Sequence, residues 1–302
     1  MNLEQFHYII EVAKTHSLSK AASNLFVTQS AVSQSIANLE SELGVRIFTR
    51  TRLGAVPTKE GMDIIQKAIE VVNKLQEIKD GAMRLSEVMH AELRVASIPG
   101  AMSALVKTVA SFKNDYPNVS FRIIEGMSDE ILDEIKHNKV DIGLIGIRDD
   151  TSIVGTGMLF EPIWESNIVI GVWKNSPLAI RNKVTPEDMR HQSFALYDEP
   201  FIHEFERGFS EAHGQLPIFF TSNNPNAIAT AMKENLAATL GYDFSFFDSP
   251  HTLNGDIVTR EIDGVRQLPI HLGWVRSERN KSAQISNLFI QRFLNHFQIR
   301  SI

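Results

Sequence analysis

Thr28-Gln29-Ser30-Ala31-Val32-Ser33-Gln34-Ser35-Ile36-Ala37-Asn38-Leu39 is the stretch on which the reading of this chain turns. Val32, Ile36, Leu39 and then Leu43 recur at helical spacing and can bury on one face, with Thr28 placed to cap the start. The opposite stripe holds Gln29, Ser30, Ser33, Gln34 and Ala37, all small or amide side chains without charge. Such a stripe is either a solvated face or a surface for base edges. A solvated face ordinarily carries Glu and Lys, whereas Gln can pair bidentately with adenine, Ser bonds either way and Ala meets a thymine methyl.

Outward from this helix the pattern extends both ways. Upstream, Leu3, Phe6, Ile10 and Ala13 share one helical face, and Ala21, Ala22 and Leu25 mark a short second helix. Downstream of Gly44, the segment from Val45 to Thr58 alternates and turns at Leu53-Gly54, as a β wing would. No acidic residue lies between Glu42 and Glu60, while Arg46, Arg50, Arg52 and Lys59 do. Arg50 and Arg52 could reach phosphates or a narrow minor groove, and the alternative is a solvated basic face.

Composition limits the rest. A chain of 302 residues, 43% hydrophobic, has material for two or three domains. Absence of cysteine removes disulfides, Cys-ligated zinc, iron–sulfur clusters and thiol redox sensing. The N-terminus lacks a basic secretory segment, and no apolar run approaches the ~18–20 residues of a membrane span, so a cytoplasmic protein is expected. The formal net charge of −6 does not by itself suggest a nucleic-acid binder, which makes the local basic patch the informative feature.

From Thr58 a helix is predicted to run to about Met89. Ile64, Ala68, Val71, Leu75, Ile78, Ala82, Leu85 and Met89 are spaced alternately four and three apart, an a/d seam for core or for a second helix, with Gly81 a local weakness. Beyond Ala91 the pattern becomes alternating strands and helices. Strands are predicted at 93–97, 119–124, 140–147, 168–172, 194–197, 218–221, 237–241, 257–262 and 270–275, implying α/β sheets faced by helices.

The first third resembles the LysR-type transcriptional regulators. The resemblance rests on Phe6, Ala13, the run Ser17-Leu18-Ser19-Lys20-Ala21-Ala22-Ser23-Asn24-Leu25, Thr28 to Ser33, Ile36, Leu39-Glu40, Leu43-Gly44, Phe48, Arg50, Thr58 and Gly61. Gln34 and Pro57 depart from an arginine and a leucine common in the family, which leaves the operator sequence open. Phe112, Tyr116-Pro117, Glu125-Gly126 and Asp141-Ile142-Gly143-Leu144 extend the resemblance more loosely. It implies an N-terminal all-α winged helix-turn-helix (1–58), a linker and dimerisation helix (59–89) and a C-terminal α/β periplasmic-binding-protein-like effector domain (91–302). Within that domain, subdomain 1 would take 91–161 and 268–302 and subdomain 2 would take 162–267, with chain crossings near Glu161–Trp164 and Val265–Pro269.

On this reading Thr28, Gln29, Ser30, Ser33, Gln34, Arg50 and Arg52 contact DNA, and Ile64, Val71, Leu75, Ile78 and Leu85 pair two helices. Ser97, Pro99, Gly100, Ser128, Gly146, Tyr197 and Asn223 would surround a small-molecule effector, where strand ends and helix N-termini converge. Each is also an ordinary turn or cap residue. An anionic effector suits free backbone N–H groups, and Arg148 and Asp198 are set aside as surface charges. The implied partners are double-stranded promoter DNA, the effector, further copies of the chain as homodimer or homotetramer, and RNA polymerase as a candidate, with no cofactor, metal or membrane. Two other classes compete. No HExxH, GxSxG, Walker A or GxGxxG pattern supports an enzyme, and the winged-helix unit argues against a transport solute-binding protein.

Overall fold

The computed structural model describes residues 1–51, 54–84, 91–148, 157–278 and 283–298. Two compact units emerge, one centred on the N-terminal helices and one holding the larger sheets. The first begins with α1 (Leu3–Thr15), α2 (Leu18–Asn24) and α3 (Gln29–Leu43). Each starts on a side-chain cap: Asn2 accepts from Gln5 N, Ser17 from Lys20 N and Thr28 from Ala31 N, contacts worth about 1 kcal/mol apiece. Gly44 ends α3 in the left-handed region, at φ 68°. Ile9, Val12, Val32, Leu39 and Ile47 are fully buried in the shared core, each contributing roughly 1.5–3 kcal/mol of transfer free energy. Leu43, expected on the same buried stripe, is 37% exposed, because the helix runs past the core in its last turn.

An antiparallel hairpin follows, β1 (Phe48–Thr51) and β2 (Gly54–Pro57), and then α4 (Lys59–Arg84). The helix passes through Gly81; Leu85 and the expected end near Met89 lie outside the described residues. Ile65, Ala68 and Ile69 are buried in the head's core, and Ile64 packs against it. The first part of the expected seam is therefore intramolecular. Farther along, Val71 and Ile78 are 41% and 69% exposed, so part of their apolar surface stays open among the described residues.

The second unit takes Glu92–Asn114 and Ser120–Ser286, and the chain beyond α4 runs through β3 (Ala91–Ser97), α5 (Met102–Asp115), β4 (Val119–Glu125), α6 (Ser128–Lys136), β5 (Ile142–Ile147) and β6 (Met158–Ser166). The chain then builds a second sheet from β7 (Ile168–Trp173) and β8 (Lys183–Val184). After α7 (Pro186–Arg190) come β9 (Phe194–Tyr197), α8 (Pro200–His213), β10 (Ile218–Ser222), α9 (Pro225–Lys233), β11 (Thr239–Tyr242), α10 (Phe244–Phe247), α11 (Pro250–Leu253) and β12 (Ile257–Ile262). β13 (Ile270–Ser277) returns to the first sheet, and α12 (Ala283–Gln298) ends the described chain. The strand orders are β4-β3-β5-β13-β6 and β11-β7-β12-β8, with β9 and β10 a separate parallel pair. The Asp141 carboxylate clamps Arg94, accepting from its backbone N, Nε and Nη2 at 2.8–3.2 Å. Two residues on, Gly143 lets α6 settle on the sheet: a Cβ there would lie 2.4 Å from Ile131.

Neither β6 nor the short β8 is among the strands that the sequence pattern predicts. Pro162 interrupts the β6 pattern, and the structure accommodates it on an edge strand, opposite Gly273 where the register with β13 slips. The crossing expected at Glu161–Trp164 therefore falls inside β6 of the first sheet, and the chain passes between sheets at Asn167. The return lies between Ile262 and Ile270, around Val265–Pro269.

Candidate nucleic-acid interface and ligand cleft

On the head, α3 divides by chemistry. Val32, Ile36 and Leu39 are buried, whereas Gln29, Ser30, Ala31, Gln34, Ala37 and Asn38 are exposed and Ser33 is half-buried. Thr28 caps the helix and exchanges a 3.0 Å hydroxyl contact with Ser30; Gln34 donates to Asn38 Oδ1 at 3.0 Å. Just ahead, Phe26 adopts φ 55° in the turn and is 96% exposed beside this face.

The wing is fixed to α3 and α4 by polar groups that the sequence alone left unexplained. Glu40 Oε1 accepts from Ile47 N at 2.7 Å and Phe48 N at 3.0 Å. Thr58 Oγ1 donates to Arg46 O at 2.7 Å and accepts from Gly61 N at 2.8 Å. Gly61 and Gly54 bring backbones together: a Cβ on either would lie 2.1 Å from the carbonyl oxygen of Ile47 or His16 respectively. Arg50 lies in β1 opposite Ala55, which places its backbone on the wing. Its side chain and the whole of Arg52 fall outside the described residues.

In the second unit, a cavity of about 840 Å³ opens between the lobe built on the first sheet and the lobe built on the second, a size suited to a small molecule. Of the residues expected there, Pro99, Gly100, Ser128, Gly146 and Tyr197 line it. Two do not. Ser97 ends β3 fully buried, donating to Ile98 O at 3.0 Å. Asn223 is exposed outside the cavity, because the turn around Ser222 and Asn224 brings Pro225 and Asn226 to the wall instead. Even the lining Ser128 is internally engaged: its hydroxyl donates to Gly146 O at 2.9 Å and accepts from Gly146 N at 3.2 Å. Asp198 pairs with His203 at 2.7 Å and takes no part in the wall.

Arg148, set aside in the sequence, proves central to the wall. Following β5 of the first lobe, it reaches α8 of the second, where Nη1 bonds both carboxylate oxygens of Glu204 at 2.8 Å. Its guanidinium lies 5.1 Å from the Phe201 ring centroid. Tyr242 meets Phe201 edge-on at 6.4 Å and stacks on Phe244 at 5.9 Å. Arg148 Nε and the Tyr242 hydroxyl are both sealed from solvent, and a hydrogen bond from the Arg148 side chain offsets part of the rise that burial imposes on the Tyr242 hydroxyl. Glu199 caps α8 by accepting from Ile202 N at 3.1 Å, and burial pushes its carboxyl above the usual range. Burial likewise raises the Tyr242 and Tyr197 hydroxyls.

The lobes are also fastened around α10. Asp243 Oδ1 accepts from Trp164 Nε1 at 3.0 Å and Ser166 Oγ at 2.5 Å, and Lys107 reaches the buried Asp248 at 2.6 Å. Burial raises the Asp243 carboxyl despite the two donors.

Residues 3–62 match the model of the bacterial regulatory helix-turn-helix protein, lysR family, and residues 86–298 match the LysR substrate binding domain. The chain belongs to the LysR family. As a LysR-type transcriptional regulator it carries a DNA-binding helix-turn-helix and an effector-binding domain. The HTH-type transcriptional regulator YoaU of Bacillus subtilis (strain 168) is 26% identical over 276 residues, 87% of this chain and 90% of YoaU. Full-length OxyR from Pseudomonas aeruginosa has the same fold at a TM-score of 0.55 and 20% identity, over 97% of this chain and 99% of OxyR. Full-length CbnR, solved with its target DNA, aligns over 100% of both chains at a TM-score of 0.51 and 18% identity. Among the described residues of this LysR-family chain, no cluster could hold a metal ion and no helix is long and apolar enough to cross a membrane.

Proposed function

We propose that two or four copies of this regulator sit on promoter DNA in the cytoplasm and read an interrupted inverted repeat through α3. Gln29, Ser30, Ser33 and Gln34 face base edges in the major groove, while Thr28, Arg50 and Arg52 hold the backbone. The observation that carries this is the stripe itself: an exposed, uncharged, hydrogen-bonding face on a helix whose other side is buried. Pairing along α4 through Val71, Leu75 and Ile78 would set the spacing of two heads, and the open apolar surface of Val71 and Ile78 supports it. The division into residues 1–58, 59–89 and 91–302 belongs to the same reading, with β6 assigned whole to the first lobe.

An effector in the 840 Å³ cavity would bias the arrangement of the lobes, and through them of the heads, by binding one arrangement more tightly. Transcription responds through contact with RNA polymerase or through occlusion of the promoter, with no chemical step by the protein. Selection of duplexes from a random pool, followed by fluorescence anisotropy at matched salt, tests the reading. A recurring inverted repeat bound at least 1,000-fold more tightly than its shuffled version, about 4 kcal/mol, is the expected result. Failure to enrich any sequence would overturn it.

A further inference from the structure

We infer that Phe26, in the turn between α2 and α3, is itself a DNA-contacting residue, its ring packed on the deoxyribose of the backbone at the edge of the groove that α3 enters. The inference rests on the reading of α3 above and adds a contact that no hydrogen-bonding pattern marks.

The backbone supplies the first support. Among the described residues, four that are not glycine have a positive φ: His16, Phe26, Asn138 and Asn235, at 49°, 55°, 57° and 55°. Histidine and asparagine are enriched in the left-handed region, where a polar side chain can bond locally. Phenylalanine has no such bond to make and still carries the steric cost of its Cβ. The fold holds it there all the same. Phe26 N donates to Ser23 O at 3.2 Å and Val27 N to Ala22 O at 3.0 Å, closing α2 before Thr28 opens α3.

Exposure is the second support. Leu25 and Val27 pack against the core of the head, whereas Phe26 between them is turned outward and is 96% exposed. A single exposed apolar side chain needs no explanation by itself. Ile180, for example, is 88% exposed, but without a positive φ. Phe26 combines the exposure with a backbone conformation that asparagine or glycine would adopt more readily, so this residue is unfavourable in the free head on both counts. A partner that covers the ring accounts for it.

Position names that partner. Phe26 lies inside the segment that matches the helix-turn-helix model, in the turn itself, and Thr28, Gln29, Ser30 and Ala31, which follow it, are all exposed. The ring is thus continuous with the open end of α3. Gln29, Ser30, Ser33 and Gln34 come after the cap and carry the groups suited to base edges, while Phe26 stands two residues before the cap and carries none. From outside the helix it meets the wall of the groove, where the deoxyribose C–H faces are the apolar surface between charged phosphates. Such a contact has its own signature. It is the same on every sequence, unlike a base contact by Gln29, and it releases no counterion, unlike a phosphate contact by Arg50.

Fluorescence anisotropy of the full chain on the selected operator and its shuffled version, over a salt series, tests this with Phe26→Asn and Phe26→Tyr. Phe26→Asn should bind both duplexes about tenfold more weakly, about 1.4 kcal/mol, with the salt slope unchanged. Its melting temperature should equal or exceed that of the parent, because asparagine suits the left-handed turn better. Phe26→Tyr, which keeps the ring, should stay within about twofold of the parent on both duplexes. A loss confined to the operator would move the ring to a base, and unchanged binding, or an altered oligomeric state of the DNA-free protein in sedimentation, would give it another occupant. A lowered melting temperature would make its role structural, and each of these results overturns the inference. If selection enriches no duplex, the base-reading role of α3 fails, and the comparison of parent and variants on an arbitrary duplex still decides the role of Phe26.

Discussion

The head and the cleft use polar residues in opposite ways. On the head, Glu40, Thr58, Ser17 and Asn2 are spent on backbone N–H and C=O groups, leaving α3 a separate exposed stripe for a partner. In the cleft, the residues that resemble ligand contacts in the sequence, Ser97 and Ser128, are spent on the fold, while Arg148, which reads as a surface charge, joins the two lobes through Glu204. A motif residue can thus mark architecture as readily as recognition. The deciding quantity is which hydrogen-bonding atoms remain unpaired once the fold has taken its share.

The comparison breaks most visibly at Gly61. An alanine there would drive a Cβ to 2.1 Å from Ile47 O, forcing α4 and the wing apart, and should cost more than about 3 kcal/mol in chemical denaturation of the head. A loss below about 1 kcal/mol would mean that the wing is not held as described. Glu40→Ala comes next: two part-buried N–H groups lose their acceptor, for a loss of about 1–3 kcal/mol in the same assay. Among the residues expected in the cleft, the contrast between those spent on the fold and those left out of it sharpens into a pair. Ser128→Ala should cost about 1–2 kcal/mol because it removes the hydroxyl that serves both polar groups of buried Gly146, whereas Asn223→Ala, at an exposed position outside the cavity, should change stability by less than ~0.5 kcal/mol. Equal losses in the two variants would dissolve the distinction.

The smallest effect concerns Glu199. Burial raises its folded pKa above the unfolded value, so the folded state binds this proton more tightly and stability is lost as pH rises through the folded pKa. Below the unfolded pKa the carboxyl is protonated in both states. Glu199→Gln, which keeps an acceptor for Ile202 N, should therefore be more stable than the parent at pH 8, by less than about 1 kcal/mol given its partial exposure. That gain should fade toward pH 4. A gain that grew with acid would reverse the assigned cause.

Much of the head was legible because its logic is local. Caps, helical spacing and the turn at Gly54 all act within a few residues, and the expected α3, wing and start of α4 follow from them. Where the signal depends on distant neighbours the sequence was silent. Pro162 hid β6 because only a sheet edge and the slip opposite Gly273 make a proline acceptable there. The seam of α4 read as uniform although Ile64 and Ala68 meet the head's core while Ile78 does not. Arg148 and Tyr242 stand 94 positions apart, and nothing in either neighbourhood signals that the fold brings them into one cluster with Phe201.

The central claim is that α3 reads bases through its uncharged stripe, and Gln29→Ala tests it most directly. Anisotropy of parent and variant on the selected operator and on a shuffled duplex, at one salt concentration, separates base reading from backbone attraction. The expected result is a loss of about 1–3 kcal/mol on the operator alone, with shuffled DNA bound as before. An equal loss on both duplexes, or none on either, would contradict it.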